Sequence, residues 1–276
     1  MHIASQTQPR TPRSAFGSQT AAALVEQAQD HDNNTIIGVP FESPQPLRSL
    51  LADQRVATVV PDFRSHRLFK IRAADSYGQR SSASILLDRM YATRGYKSSG
   101  LPAVPAPNRV TLTACEHDDT MGTITVGFDS DQGLCVDELF GEEVDKLRAE
   151  GRRVCEFTKL AMDTLVKSRK VLASLFHVAY IYAHRLNGFQ DLLIEVNPRH
   201  VRYYERMLGF VVKGAERLCP RVNAPAVLMA LDFQHAHDQI ERFGGLQHLA
   251  EDERSLYPYF FSVGEEAGIV GRLARG

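Results

Sequence analysis

A long helical pattern between two strand patterns constrains the fold of this chain more than any other feature. Residues 168–188, SRKVLASLFHVAYIYAHRLNG, begin at Ser168, a residue type that caps helices, and end at an Asn-Gly pair. Their apolar side chains recur at helical spacing. Residues 152–162 before this segment and 190–196 after it have the apolar character of strands. A strand, a helix and a strand in this order predict a βαβ unit with parallel strands.

The region before this unit extends the sheet. Alternating apolar residues favour a strand over 66–74 and a β-hairpin over 109–117 and 120–129. Helical spacing favours helices over 77–96 and 136–151. A hairpin followed by βαβ units predicts an α/β (α+β) fold, in which a mixed central sheet carries helices on both faces.

Residues 197–210, NPRHVRYYERMLGF, combine an Asn-Pro start, a helical turn rich in Arg, His and Tyr, and a Gly-Phe stop. They follow the strand pattern at 190–196 and lead into strand patterns at 211–218 and 225–233. A short helix of this composition between strands indicates a functional site at the sheet.

The N-terminal region, residues 1–65, is predicted to be a partly disordered arm with short helices. Residues 1–20 are rich in Ser, Thr, Gln and Pro, and 31–45 have the composition of a loop. Short helices are predicted over 21–30 and 46–54.

The remainder divides into two regions. Residues 66–235 contain the predicted sheet domain. Residues 236–276 predict a C-terminal helix followed by an aromatic tail, LYPYFFSV, that packs on the core or acts as a lid.

The composition is that of a cytoplasmic globular protein. Of the 276 residues 43% are hydrophobic, and a net charge of −1 leaves no basic footprint for nucleic acid. Four cysteines without CxxC spacing are predicted to be buried free thiols. Since no apolar run reaches about 18 residues and no signal region is present, membrane contact is predicted to be peripheral at most.

The element order of the sheet domain resembles the GNAT superfamily of N-acetyltransferases. In that superfamily two central parallel strands splay apart, and the pantetheine arm of an acyl thioester enters the gap. The resemblance places these strands at 153–161 and 190–196. Asn197 and Tyr204 have the spacing that the superfamily shows, whereas Gly209 comes one residue later than usual.

Residues 137–163 are similar to a narrower family, the bacterial long-chain N-acyl amino acid synthases of the N-acyltyrosine type, which are relatives of acyl-homoserine lactone synthases. In both groups a helix leads into a strand that carries Glu-x-x-Arg/Lys, here Glu156 and Lys159. The first strand and helix of the domain are also similar, with Arg72 at the basic position. This resemblance implies transfer of a long-chain fatty acyl group to the amine of an amino acid.

The segment DTLVKSRKVLA, residues 163–173, departs from superfamily members that use coenzyme A. Those members bind the pyrophosphate with the backbone N–H groups of a glycine-containing loop, and this segment has no glycine. Acyl carrier protein presents a single phosphodiester and needs no such loop, so the departure favours it over coenzyme A as the donor. Lys167, Arg169 and Lys170 are predicted to contact this acidic partner.

The resemblance also assigns the chemistry. Glu156 is the predicted catalytic base for the amine, and Tyr204 is predicted to protonate the departing thiolate. Asn197 is predicted to bind the pantetheine amides or to cap the short helix. A backbone N–H near residues 160–162 would stabilise the oxyanion. The alternatives are an ion pair on a polar sheet face for Glu156 and a place in the core for Tyr204.

The acceptor's carboxylate calls for a cation, because arginine binds carboxylates in a bidentate manner. Arg72 and Arg89, with Lys159, are the predicted substrate-binding residues, and Arg94 is a further candidate. Each arginine is otherwise a solvated surface residue. The residues that suit an acyl tunnel, or equally a core, are Ile85, Met90, Phe176 and Tyr180. The acyl thioester is a co-substrate, so no metal or bound cofactor is predicted.

Three other functions stay open at this point. An acyl-homoserine lactone synthase is disfavoured because the N-terminal motif of that family contains a Trp, and this chain has none. A coenzyme A-dependent N-acetyltransferase is disfavoured by the missing glycines. A non-catalytic binding module of the same fold would show no turnover.

Overall fold

The computed structural model describes residues 35–41, 67–98, 100–166 and 168–275. The described residues from Ile36 onward form one compact unit. The predicted helices at 21–30 and 46–54, the predicted disordered segment at 1–20 and Lys167 lie outside the described residues. The division of the chain at residues 65 and 235 stays a prediction.

The central element is one mixed sheet of eight strands. The strands are β1 (Thr35–Pro40), β2 (Leu68–Ala73), β3 (Arg109–Glu116), β4 (Asp119–Phe128), β5 (Val154–Met162), β6 (Asp191–Val196), β7 (Val211–Cys219) and β8 (Ala224–Asp232). Their order across the sheet is β1-β2-β3-β4-β5-β6-β8-β7. β5 and β6 are parallel, whereas the pairs from β2 to β5 and from β6 to β7 are antiparallel. The predicted mixed sheet is confirmed.

Helices cover both faces of the sheet. They are α1 (Tyr77–Ala92), α2 (Asp137–Ala149), α3 (Arg169–Tyr180), α4 (Val201–Leu208), α5 (Phe233–Phe243) and α6 (Val263–Leu273). On one face α1 packs against Ala161 and α2 against Val154. On the other face Phe157 contacts Phe176 of α3 and Phe233 of α5. Adjacent residues of a strand point to opposite faces, so β5 supplies the core of both layers.

The predicted helix between the central strands is confirmed in detail. The Ser168 side chain accepts a hydrogen bond from the N–H of Val171 at 3.2 Å and caps α3. A π-helical turn, Ile181–Leu186, extends the helix. The chain then reverses at Gly188, whose φ of 68° is accessible to glycine at little cost.

Strand β1 corrects the prediction of a loop over residues 31–45. The run TIIGVP forms an edge strand beside β2, and Ile36 and Val39 are buried. The prediction was wrong because turn-forming residues on both sides dominate the composition of the segment. Two buried residues are too few to produce a clear local pattern.

β5 and β6 form the parallel pair that separates along its length. Three residue pairs join them, and the last is Glu156 with Leu193. β5 continues to Met162 without a further pairing to β6. Its register against β4 shifts between Thr123 and Thr125, where Lys159 adopts a φ of 52° and forms a bulge. The predicted splay of the central strands is thus present in this sheet.

The C-terminal segment packs on the core. Leu256, Tyr257, Phe260 and Phe261 are buried, and the Tyr257 hydroxyl donates to the carbonyl of Leu208 at 2.7 Å. The glycine-rich end after this tail forms α6.

Three of the four cysteine thiols are free and buried, as predicted, and Cys135 is half-buried. Among the residues described, no helix has both the length and the apolar character that crossing a bilayer requires.

Candidate active site

A cavity of about 660 Å³ opens where β5 separates from β6. Phe157 and Ile194 line it from the face that carries α3, together with Leu172 and Phe176 of that helix. Glu156 and the other side chains of alternate register point to the opposite face, beneath α1 and α2. The cavity therefore has an apolar side toward α3 and a charged side toward α2. Its charged lining residues include Glu156, Lys159, Glu195, Arg94 and Arg221.

Three donors hold the Glu156 carboxylate. Arg109 Nη1 lies 2.9 Å from Oε1, and the N–H of Cys135 donates to the same oxygen at 3.0 Å. The N–H of Val136 donates to Oε2 at 3.0 Å. The side chain is 2% exposed. These contacts tie the turn before α2 to the end of the paired part of β5. The contacts fit the alternative in which Glu156 forms an ion pair with a structural role better than they fit a free base. The predicted catalytic role of Glu156 stays a prediction.

The close approach of Arg109 to Glu156 depends on Gly127 in β4. A Cβ at this position would lie 2.8 Å from Glu156 Cγ and 3.1 Å from Arg109 Nη1. Sequence reasoning missed Arg109, because it precedes Glu156 by a whole hairpin and a helix. The one signal was a glycine inside a strand pattern, which often marks a close approach.

Glu195 is a second carboxylate at the cavity that the sequence analysis did not identify. It lies on β6 beyond the last pairing with β5, and its side chain is 14% exposed. Oε2 accepts a hydrogen bond from Arg221, in the turn between β7 and β8. Burial raises the pKa of Glu195, although Arg221 opposes this shift. An acidic residue within the buried pattern DLLIEV was the available signal.

Lys159 lines the cavity from the bulge in β5. Its ammonium donates to the carbonyl of Gly100, in the loop that follows α1. Burial lowers the pKa of Lys159. The ammonium therefore binds a backbone carbonyl of a covering loop, and its predicted contact with substrate stays a prediction.

Tyr204 of α4 is half-buried at the cavity, and its ring packs edge to face on Phe210 at 5.6 Å. Burial raises the pKa of Tyr204, so the phenol stays protonated at neutral pH. Tyr91 of α1 also lines the cavity, and burial raises its pKa to about 12. Both phenols therefore keep a proton that they can donate in a hydrogen bond.

The segment that begins at Asn197 forms the wall beside β6. The Asn197 side chain accepts from the N–H of Arg199 at 3.2 Å and caps a 3₁₀ turn, Pro198–His200, that leads into α4. α4 ends at Gly209 with a φ of 83°. The predicted capping role of Asn197 is therefore present. Asn197 also lines the cavity, and its predicted contact with the pantetheine amides stays a prediction.

Two of the arginines predicted to bind substrate lie away from the cavity lining. Arg72 is buried within β2, and Arg89 on the exposed side of α1 pairs with Asp163 at 2.6 Å. Arg94, at the end of α1, does line the cavity and donates to the carbonyl of Met90 at 2.9 Å. The positions therefore favour Arg94 over the other two for binding an acceptor.

A second concavity of about 680 Å³ adjoins the first. We call its four basic residues the arginine cluster: Arg169, Arg202, Arg206 and Arg254. Tyr203 lines both the cluster and the cavity, so the two sites meet at this residue. Arg169 lies here as part of a basic surface.

The prediction that Lys170 belongs to the same surface is wrong. The residue is 6% exposed, and its ammonium donates to the carbonyl of Tyr259 at 2.9 Å. It also lies over the ring of Phe261 at 5.2 Å. Lys170 anchors the C-terminal segment to α3.

The acyl-tunnel candidates have different positions. Phe176 lines the cavity, whereas Tyr180 and Met90 are buried away from the lining. Ile85 is 65% exposed, so its assignment to a tunnel or core is wrong. The apolar lining instead includes Leu87, Ile124, Leu160 and Leu172.

The family model of the N-acyl amino acid synthase FeeM matches residues 82–232, more than half of the chain. The chain belongs to the FeeM family of N-acyl amino acid synthases. The predicted resemblance and the assignment as an acyltransferase with a GNAT-like fold are thereby confirmed.

The solved structure of FeeM, from uncultured soil microbes, is 28% identical to this chain. The match covers 62% of this chain and 93% of FeeM, with a TM-score of 0.55. No curated protein sequence matches the chain.

Two further structures resemble the fold less closely. A GNAT-family acetyltransferase from Streptococcus pneumoniae is 16% identical, and the match covers 59% of this chain and 98% of that one, with a TM-score of 0.43. BjaI, a coenzyme A-dependent acyl-homoserine lactone synthase, is 12% identical over 60% of this chain and 80% of its own, with a TM-score of 0.44. At these scores neither adds to the fold assignment, which rests on FeeM.

Proposed function

We propose that this chain transfers a long-chain acyl group from acyl carrier protein to the amine of an amino acid. The observation that carries the proposal is the cavity at the separation of β5 and β6, which is apolar toward α3 and charged toward α2. A fatty acyl thioester needs the apolar side, and a zwitterionic acceptor needs the charged side. A bacterial cytoplasm is the compartment that we propose for this reaction.

The arginine cluster supports a carrier-protein donor. Its cations lie on the N-terminus of α3, on α4 and on the C-terminal segment, and all four are exposed. An acidic protein or its phosphodiester would be attracted to such a surface. Because Tyr203 borders both the cluster and the cavity, we propose that a pantetheine arm passes beside it to reach the gap.

The charged side supports an amino acid as the acceptor. Arg94 and Lys97 are exposed cations that line the cavity, and we propose that Arg94 binds the acceptor's carboxylate because a guanidinium can bind it in a bidentate manner. The protonated phenol of Tyr204 is the group that we propose to donate a hydrogen bond to the departing thiolate. The donor and acceptor would then meet between β5 and β6, beside the bulge at Lys159.

The test is acyl transfer by the purified protein. Palmitoyl-acyl carrier protein and palmitoyl-coenzyme A are each supplied with single amino acids, and N-acyl products are identified by mass spectrometry. We expect product with the carrier protein. Replacing both Arg202 and Arg206 by Glu should raise the KM for it about tenfold, equivalent to about 1.4 kcal/mol, and leave kcat unchanged.

The matched control is Lys213→Glu, which reverses an exposed charge on β7 that lines neither site. Equal KM values for wild type and the double variant would contradict docking at the arginine cluster. If product forms with palmitoyl-coenzyme A but not with palmitoyl-acyl carrier protein, the donor is coenzyme A and the proposed carrier-protein donor is wrong. An absence of product with either donor and every amino acid would favour the non-catalytic alternative.

A further inference from the structure

We propose that Glu195 is the general base that removes a proton from the acceptor's ammonium group. This inference rests on the proposed function, because it concerns the same acyl transfer. It assigns proton removal to β6, whereas Glu156 on β5 keeps a supporting role.

The position of Glu195 suits the task. Glu156 is paired with Leu193 across the two strands, and Glu195 is two residues further along β6. Residues two apart on a strand share a face, so both carboxylates lie on the side toward α2. Glu195 lies beyond the last pairing between the strands and lines the cavity, where a thioester carbonyl in the gap would be its neighbour.

The free oxygen of Glu195 distinguishes it from Glu156. Oε1 of Glu195 is buried and accepts no hydrogen bond from any residue that the structure describes. Each oxygen of Glu156 already accepts a backbone hydrogen bond, and Oε1 also forms an ion pair with Arg109. A buried acceptor without a donor is costly unless a ligand supplies one. Oε1 is covered by neighbouring atoms in this structure, so an ammonium group that enters between β5 and β6 would supply that donor after the covering side chains move aside.

The surroundings of Glu195 raise its pKa, which suits a group that takes a proton from an amine. Arg221 contacts Oε2 and also donates to Glu138 at 2.6 Å and to the carbonyl of Cys135 at 2.5 Å. Burial raises the pKa of Glu195, and the negative charges of Glu156 and Glu138 add to this effect against Arg221. A base of raised pKa holds a proton more strongly, which favours transfer from an amine.

The step balances as follows. The ammonium loses one proton to Glu195 Oε1, and the neutral nitrogen attacks the thioester carbon to form the C–N bond. The C–S bond breaks, and the second proton on nitrogen passes to the thiolate. Glu195 then releases its proton to solvent. An acyl thioester and an ammonium thus become an amide, a thiol and one proton.

The test compares Glu195→Gln with Glu156→Gln in the acyl-carrier-protein assay across pH. We expect Glu195→Gln to lower kcat/KM for the amino acid by about 10² to 10⁴. The wild-type profile should rise with pH and level off above the pKa of the base, and this break should disappear in Glu195→Gln. The residual rate should instead keep rising about tenfold per pH unit with the fraction of free amine. Glu195→Asp, which keeps a carboxylate, should retain the break at a reduced rate.

Failure of the proposed function and failure of the Glu195 assignment give different results. If the wild type makes no N-acyl product, the proposed function itself fails. If the wild type is active and Glu195→Gln stays within about threefold of it or keeps the break in the profile, the assignment of the base is overturned. Loss of the break in Glu156→Gln alone would assign the base to Glu156.

Discussion

Replacing Glu156 by Gln should mainly lower stability, because the carboxylate binds three donors in a buried position. The amide keeps one oxygen, which can retain Arg109 and the N–H of Cys135. Its NH₂ group then faces the N–H of Val136, now a donor without an acceptor. An unsatisfied buried donor costs about 2 kcal/mol.

The lost charge adds a smaller amount. Arg109 is 24% exposed and can be partly solvated, so weakening its pair with Glu156 costs about 1 kcal/mol. The two contributions give about 3 kcal/mol, which corresponds to a fall in Tm of roughly 6–12 °C for a domain of this size.

The assay is urea unfolding followed by far-UV circular dichroism, since the chain has no Trp for fluorescence. Glu195→Gln is the matched control: its carboxylate has one described hydrogen-bond partner, Arg221, and the change removes a buried charge. Arg221 is 30% exposed and keeps its ion pair with Glu138, so we expect the control to lower the unfolding free energy by only about 1 kcal/mol. If Glu156→Gln unfolds like the wild type but loses turnover, the reasoning is refuted and Glu156 acts in proton transfer.

Two further predictions concern stability. Burial lowers the pKa of His177, which lies 3.0 Å from Glu266, so the unfolded state binds more protons below about pH 6.5 and stability falls as pH decreases. Unfolding between pH 7 and 5 should show a shallower dependence in His177→Gln, and an unchanged slope would contradict this. Gly209→Ala places a Cβ at a φ of 83° and 2.4 Å from His235 Nε2, so it should lower the unfolding free energy by about 1–2 kcal/mol. Gly268→Ala, in open space on α6, should instead raise it by about 0.5–1 kcal/mol, and equal changes in the two variants would refute the distinction.

The elements that the sequence predicts well are those whose periodicity reports burial. α3 and the hairpin of β3 and β4 have long runs of apolar residues at one spacing, and both formed where expected. Ile85 shows the limit of this signal. It adjoins the buried Leu86 in a helical stripe, yet it faces solvent, because the pattern fixes the stripe only to within one residue.

The site was only partly predictable, because its decisive contacts join distant segments. Glu156 could be placed at the gap from its strand and its family resemblance, but Arg109 reaches it across the sheet. Glu195 has an ordinary strand context in sequence, and only the separation of β5 and β6 leaves its oxygen free. Lys170 has the sequence context of a surface cation, but its ammonium donates to the carbonyl of Tyr259, a residue far along the chain.

The C-terminal segment extends the folding unit beyond the region shared with the family. The family match ends at residue 232, yet Tyr257 and Phe261 are buried after it, and Arg254 contributes to the arginine cluster. A chain cut where the family match ends would expose apolar core surface to water and would lack the Arg254 side chain of the arginine cluster. The end of the family match at residue 232 is therefore not the end of the folded unit, which includes the buried aromatic residues of the C-terminal segment.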